Sequence, residues 1–169
     1  MDIFEAIHTR RSIRSYTDGA VSQEQIDVLL QAAMTAPSAG NAQPWHFIVV
    51  QDRAMLDRLS TYNPYVKMLA QTPLAILVLG DLSLEKYPGY WPIDCSAAVQ
   101  NLLLAARGME LGAVWTGVYP DQARMDALRD MLAIPKDIMP HSLIPVGVPA
   151  VESKRVDRFK PERIHQERW

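Results

Sequence analysis

Between Asp94 and Glu110 the chain reads DCSAAVQNLLLAARGME, and its apolar residues fall around most of a helical circumference rather than along one stripe. A helix of that kind has little polar face to give to solvent. It must be surrounded, so this segment predicts the central core helix and everything else must supply its cover. A chain of 169 residues, 49% of them hydrophobic, can do so within one domain, burying about 70% of its unfolded surface. The first cover is LAILVLG (74–80), an unbroken apolar run that predicts a strand packed on both faces.

Caps and periodicity place the remaining elements. Asp2 with Glu5 forms a possible capping box for a short first helix that ends near Arg10 and Arg11. Ser22 and Gln25 form a second box, with Val21 stapled to Ile26, and Pro37 closes that helix. HFIVV (46–50) predicts a strand, followed by helices over 53–59 and 65–71, the latter broken by Pro73. Gly112 suits the exit of the long helix. AVWTGV (113–118) predicts a third strand, Asp121 caps a helix to Leu132, and SLIPVGV (142–148) predicts a fourth strand. Helices and strands mix without strict alternation, which favours an α+β sheet sandwiched by helices over a doubly wound one.

The last 19 residues break the pattern. From Val151 they hold six Lys or Arg, four Asp or Glu, and three large apolar residues, Phe159, Ile164 and Trp169, spaced by five. That spacing fits neither a helix face nor a strand face. A frayed terminus is one reading. The terminal Trp argues for the other, an extended arm gripping a second copy of the chain. The domain is accordingly expected to span 1–150, with 151–169 as its extension.

Function classes fall away by absence of pattern. With 17 basic and 19 acidic residues there is no global field to gather nucleic acid or anionic lipid. Neither partner is expected. The single cysteine, Cys95, allows no intramolecular disulfide, no apolar run reaches the ~20 residues of a membrane span, and a cytoplasmic setting is the default expectation. No dinucleotide or P-loop motif occurs, His8, His46, His141 and His165 lack metal-ligand spacing, and Ser38 is in no nucleophile elbow. What remains is TRRSIRSY (9–16), with Arg10, Arg11 and Arg14 within five positions, the polar loop PSAGN (37–41), Lys67, and WTG (115–117). Guanidinium groups converging with Ser12 can hold a phosphate through charge-assisted bonds. Taken singly, each has a plain alternative: cations favoured at a helix C-terminus, a turn, a core tryptophan.

Their combination and order resemble the FMN-dependent nitroreductase family. The resemblance runs through RRSIRSY (10–16), AAMTAPSAGNAQPWHFIVV (32–50) and DCSAAVQNLLLAARGMELGAVWTGVYP (94–120), with weaker echoes in VGVPA (146–150) and DRFKPERIH (157–165). It implies a mainly antiparallel central sheet sandwiched by helices, a homodimer with the C-terminal arm exchanged between subunits, and FMN bound at the subunit interface. It also implies NADH or NADPH as electron donor and a small-molecule acceptor such as a nitroaromatic or quinone. In that reading Arg10, Arg11, Ser12 and Arg14 contact the FMN phosphate, ribityl chain and pyrimidine edge. Pro37, Ser38, Ala39 and Asn41 border the ring from the partner subunit. Lys67 approaches the pyrimidine, Trp115, Thr116 and Gly117 run their backbone beside the ring, and Arg158, with Arg155 as its rival, reaches the phosphate. No catalytic side chain is implied, because the cofactor carries the chemistry. Another flavin reaction on the same fold and a non-enzymatic, phosphate-binding dimer are the alternatives.

Overall fold

A computed structural model describes residues 1–169. Five helices, α1 (Ile3–Thr9), α2 (Gln23–Met34), α3 (Arg53–Leu59), α4 (Trp91–Gly108) and α5 (Gln122–Leu132), accompany five strands. The strands are β1 (Trp45–Val50), β2 (Leu74–Asp81), β3 (Gly112–Ala113), β4 (Thr116–Gly117) and β5 (Ile138–Gly147). All pair antiparallel in the order β1-β2-β5-β3, with β4 also on β5. The α+β class is as expected, and its physical basis is β2. Its side chains alternate between two cores: Leu74, Ile76 and Val78 pack with α2 and α4, whereas Ala75, Leu77 and Leu79 pack with α3 and α5. Each large apolar side chain buried this way contributes roughly 1.5–3 kcal/mol.

The caps of α2 and α5 form as the sequence predicts, and of the box expected at α1 only the Asp2 half forms. Asp2, Ser22 and Asp121 each accept a backbone N–H from the first turn, and Ser22 and Gln25 make the reciprocal box. Helix α4 buries Cys95, Ala98, Val99, Leu102 and Ala106, spaced by three and four, but starts at Trp91 with Pro92 in its first turn. Asp94 is therefore inside the helix rather than at its start.

Four predicted elements are corrected. In place of a helix over 65–71 there is only a 3₁₀ turn, Lys67–Ala70. The Arg53 guanidinium takes the carbonyls of Leu69 and Thr72, at 2.5 and 2.8 Å, which satisfies this backbone without a longer helix. The strand predicted over 113–118 is split into β3 and β4. The gap at Val114 and Trp115 faces Pro145, which has no N–H to donate to the ladder. Strand β5 begins at Ile138 rather than at Ser142, and His141 is the extra residue of a bulge opposite Val78 and Leu79. Gly112 does not terminate α4. It lies in β3 because Ile13 packs against its backbone; a Cβ there would meet Ile13 Cγ2 at 2.7 Å.

Two bridges stitch the arginine segment to the sheet: Ser12 pairs with Ala113 in parallel and Tyr16 with Pro149 antiparallel. After Ala150 donates to the Ser15 carbonyl, the tail 151–169 makes no further backbone hydrogen bond to the domain. Phe159 and Ile164 are exposed and Trp169 is fully so, stacked only on His165. No helix is long and apolar enough to cross a membrane.

Candidate functional site

The arginine segment serves two clefts. Helix α1 stops at Thr9 and Arg10 is its C-cap, so the chain leaves the helix with its cations beside the last carbonyls. Arg11 donates to the carbonyls of Arg10 and His8, at 2.5 and 2.9 Å, while its Nε is buried with no partner. Arg11 thus acts partly as a helix cap, the plain reading of these cations, with its buried Nε–H left without a partner.

Arg10 differs. With Arg11 it forms one wall of a cleft of about 630 Å³ whose other wall is the tail, including Arg155, Asp157 and Arg158. Burial, then the charges of Arg11 and Arg158, push the Arg10 pKa below its ordinary value. No ion pair involves Arg10, Arg11, Arg14, Arg155 or Arg158. Crowded cations without paired carboxylates suit a phosphate.

Arg14 enters a second cleft of about 450 Å³. Its floor is the stretch Val114–Gly117, where the sheet ladder is interrupted, and its rim carries Tyr65 and Arg124. Arg10 and Arg14 are four residues apart, so at most about 14 Å separates them. Thr116 Oγ1 donates to the Leu143 carbonyl at 2.5 Å and faces inward; its backbone, not its hydroxyl, is what the cleft can use. Trp115 lies tilted against His141, ring centroids 5.6 Å apart. Ser96 Oγ donates to the Pro92 carbonyl at 2.6 Å, which leaves it to accept from His141 Nε2 at 3.3 Å, and Ser142 Oγ lies 3.1 Å from Nδ1. This pattern suits a neutral imidazole protonated on Nε2. Burial pulls its pKa down to about 4.

The structure places the remaining predicted residues apart from these clefts. The backbone of Ser12 is engaged at the edge of β3. The loop after α2 lines neither cleft. It is held firmly all the same: Ala39 N–H donates to buried Asp94 at 2.9 Å, Lys86 Nζ to the Gly40 carbonyl at 2.6 Å, and Gln43 N–H to Ser38 Oγ at 2.9 Å. Pro37 precedes this turn, and Asn41, at φ 54°, ends it. Lys67 is exposed on its 3₁₀ turn beside Met68, which does line the second cleft. Sequence reasoning missed Arg124, Asp94 and His141. Arg124 read only as a residue of a capped helix, and nothing local marked it; Asp94 carried a weak signal as an acid amid an otherwise apolar helix. No group of three or more His, Cys, Asp or Glu is arranged to hold a metal.

A helix-sandwiched antiparallel sheet flanked by two cation-bearing clefts defines an α+β protein with room for an anionic ligand. The model of the nitroreductase family matches residues 7–63 and 60–148, and the chain belongs to that family. A protein of Methanothermobacter thermautotrophicus named as an NADH dehydrogenase/NAD(P)H nitroreductase is 52% identical over all of this chain and 88% of its own length. An FMN reductase [NAD(P)H] of Bacillus subtilis is 28% identical over 99% of this chain and 74% of its own. Among solved structures, a nitroreductase in complex with FMN from Desulfovibrio desulfuricans superposes with a TM-score of 0.86 at 32% identity, covering 100% of this chain and 98% of that one.

Proposed function

We propose that this protein is an FMN-dependent NAD(P)H oxidoreductase of nitroreductase type that passes electrons to a small oxidised acceptor such as a nitroaromatic or quinone. The observation that carries the reading is that one short segment, Arg10 to Arg14, delivers guanidinium groups without ion-pair partners to two clefts. The residues fit FMN on their own chemistry: crowded cations and the orphaned Arg11 Nε at one end, and an interrupted strand edge with a cation at the other. When bound, FMN accepts hydride from NAD(P)H and passes electrons on to the acceptor.

The chain's own residues bind and orient. Arg10, Arg11 and Arg158 hold the phosphate, and Arg158 is preferred to Arg155 because its charge acts on Arg10. Arg14 and Ser12 lie on the ribityl and pyrimidine side, where the Arg14 cation favours the more negative, reduced cofactor. The backbone of Trp115, Thr116 and Gly117 borders the ring. Lys67 belongs to the pyrimidine end. The rigid loop carrying Pro37, Ser38, Ala39 and Asn41 borders the ring of a second subunit, which explains why it lines no arginine cleft of its own chain. In that homodimer the tail 151–169 wraps the partner and buries Phe159, Ile164 and Trp169.

The test is an absorbance spectrum of the purified protein, followed anaerobically after NADH or NADPH is added. Flavin bands that bleach support the reading. Bound flavin that stays oxidised moves the function to another flavin reaction, and failure to take up FMN overturns the cofactor assignment.

A further inference from the structure

Arg124 occupies a position that the flavin reading does not use. It follows the N-cap of α5 by three residues, and its guanidinium touches its own N-cap and two other parts of the chain that line the second cleft. Nε pairs with Asp121 at 3.1 Å, Nη1 donates to the Gly117 carbonyl of β4 at 3.0 Å, and the group lies 5.4 Å from the ring centroid of Tyr65 on the facing loop. Nη2 makes no hydrogen bond. The residue is therefore fixed on one side and free on the other. Such a fork holds its direction because little rotamer freedom is left to lose.

The lining of this cleft sets its sign. Arg14 and Arg124 both contribute, and no carboxylate lines it; Asp121 lies behind Arg124 and offsets part of one charge. Trp115 in its floor and Tyr65 on its rim are aromatic, and Tyr65 is exposed. An aromatic-lined cleft with a fixed guanidinium at its rim selects for shape and charge together.

We propose that Arg124 is a specificity-determining residue that anchors planar aromatic ligands bearing a carboxylate, so that anionic nitroaromatics are preferred to their neutral isosteres. The inference rests on the reading of this cleft as the flavin ring site. A carboxylate at Nη2 leaves the bonds to Gly117 and Asp121 intact. The same bond to the Gly117 carbonyl also steadies the backbone of Thr116 and Gly117.

The experiment uses the FMN-loaded protein and a matched pair of non-reacting probes, benzoate and benzamide, whose binding is read from perturbation of the flavin absorbance. Turnover of 4-nitrobenzoate and 4-nitrobenzamide is measured in parallel. The wild type is expected to bind benzoate about tenfold more tightly than benzamide at low salt, with the preference shrinking as salt rises. Arg124→Gln should bring the ratio near one mainly by weakening benzoate, and Arg124→Lys should restore part of it. An equal affinity of the wild type for the two probes overturns the proposal without any variant, as does an undiminished ratio in folded Arg124→Gln. In both cases a flavin that still bleaches with NAD(P)H leaves the oxidoreductase reading intact. Protein that takes up no FMN overturns both.

Discussion

The two clefts at the ends of the Arg10–Arg14 segment are built from opposite materials. The first is bounded by a helix exit and by a tail without backbone hydrogen bonds to the domain, and its character is crowded permanent charge. The second has a floor of sheet backbone over a buried hydrogen-bonded imidazole, and a rim clasped by Arg124. A phosphate tolerates an adjustable grip because long side chains can follow it. A planar ring needs donors that do not move, which backbone in a sheet provides. Under the proposed function the difference gives affinity chiefly to the first cleft and the setting of reactivity to the second.

Removing residues 151–169 is the largest test of that division. It takes away one wall of the first cleft together with Phe159, Ile164 and Trp169. The truncated chain is expected to elute as a monomer and to lose FMN on gel filtration, while its cores remain folded by circular dichroism. A truncated protein that stays dimeric and yellow would reverse the roles given to the tail.

A double change, Arg10→Ala with Arg158→Ala, separates charge from the arm. Charge-assisted bonds contribute about 1.5–3 kcal/mol each, so FMN affinity should fall at least about a hundredfold in a fluorescence titration of apoprotein. The sign of the stability change should differ between states. Apoprotein, relieved of like charges, should melt no lower than wild type, whereas protein in excess FMN should melt lower. An Arg155→Ala control should affect affinity less.

Acid should act through the imidazole beneath the second cleft. Folding depresses the His141 pKa from an ordinary 6.5 to about 4. The stability from keeping it neutral is fully present above pH 6.5 and is lost as pH falls toward 4, on the order of 3 kcal/mol. Thermal melts from pH 7 to 4 should therefore show a shallower decline for His141→Gln than for the wild type. Equal slopes would mean that His141 does not carry the dependence.

The smallest expected effect lies in the electronics. Arg14→Ala should lower the flavin midpoint potential by roughly 30 mV, about 1.4 kcal/mol for two electrons, with a smaller loss of affinity than the double variant. Spectroelectrochemical titration checks it, and an unchanged potential with full FMN occupancy would remove Arg14 from the ring site.

How much of this was legible beforehand varies with the range of the forces involved. The capping box at Ser22, the cap at Asp121, and the two-faced burial of β2 could be read because each depends on a few neighbouring residues or on a simple period. The break at Val114 and Trp115 was hidden, since its cause is Pro145, some thirty positions away. The bulge at His141 was hidden for the same reason. Within the site, Arg10, Arg11 and Arg14 stood out as a cluster in a nearly neutral chain, and the resemblance to a family gave them a use. Arg124 offered no such sign, because what it does depends on Gly117 and Tyr65 being brought to it.

By itself the sequence determined the α+β class, the central helix and the single segment that supplies cations at both ends, because those follow from local periodicity, caps and composition. Only the tertiary structure decided that Arg11 is half spent on helix carbonyls, that Arg10 and Arg14 line different clefts, and that Arg124 lines one of them. These are matters of which groups remain unpaired once the backbone has taken its partners, and that remainder exists only after distant parts of the chain have met.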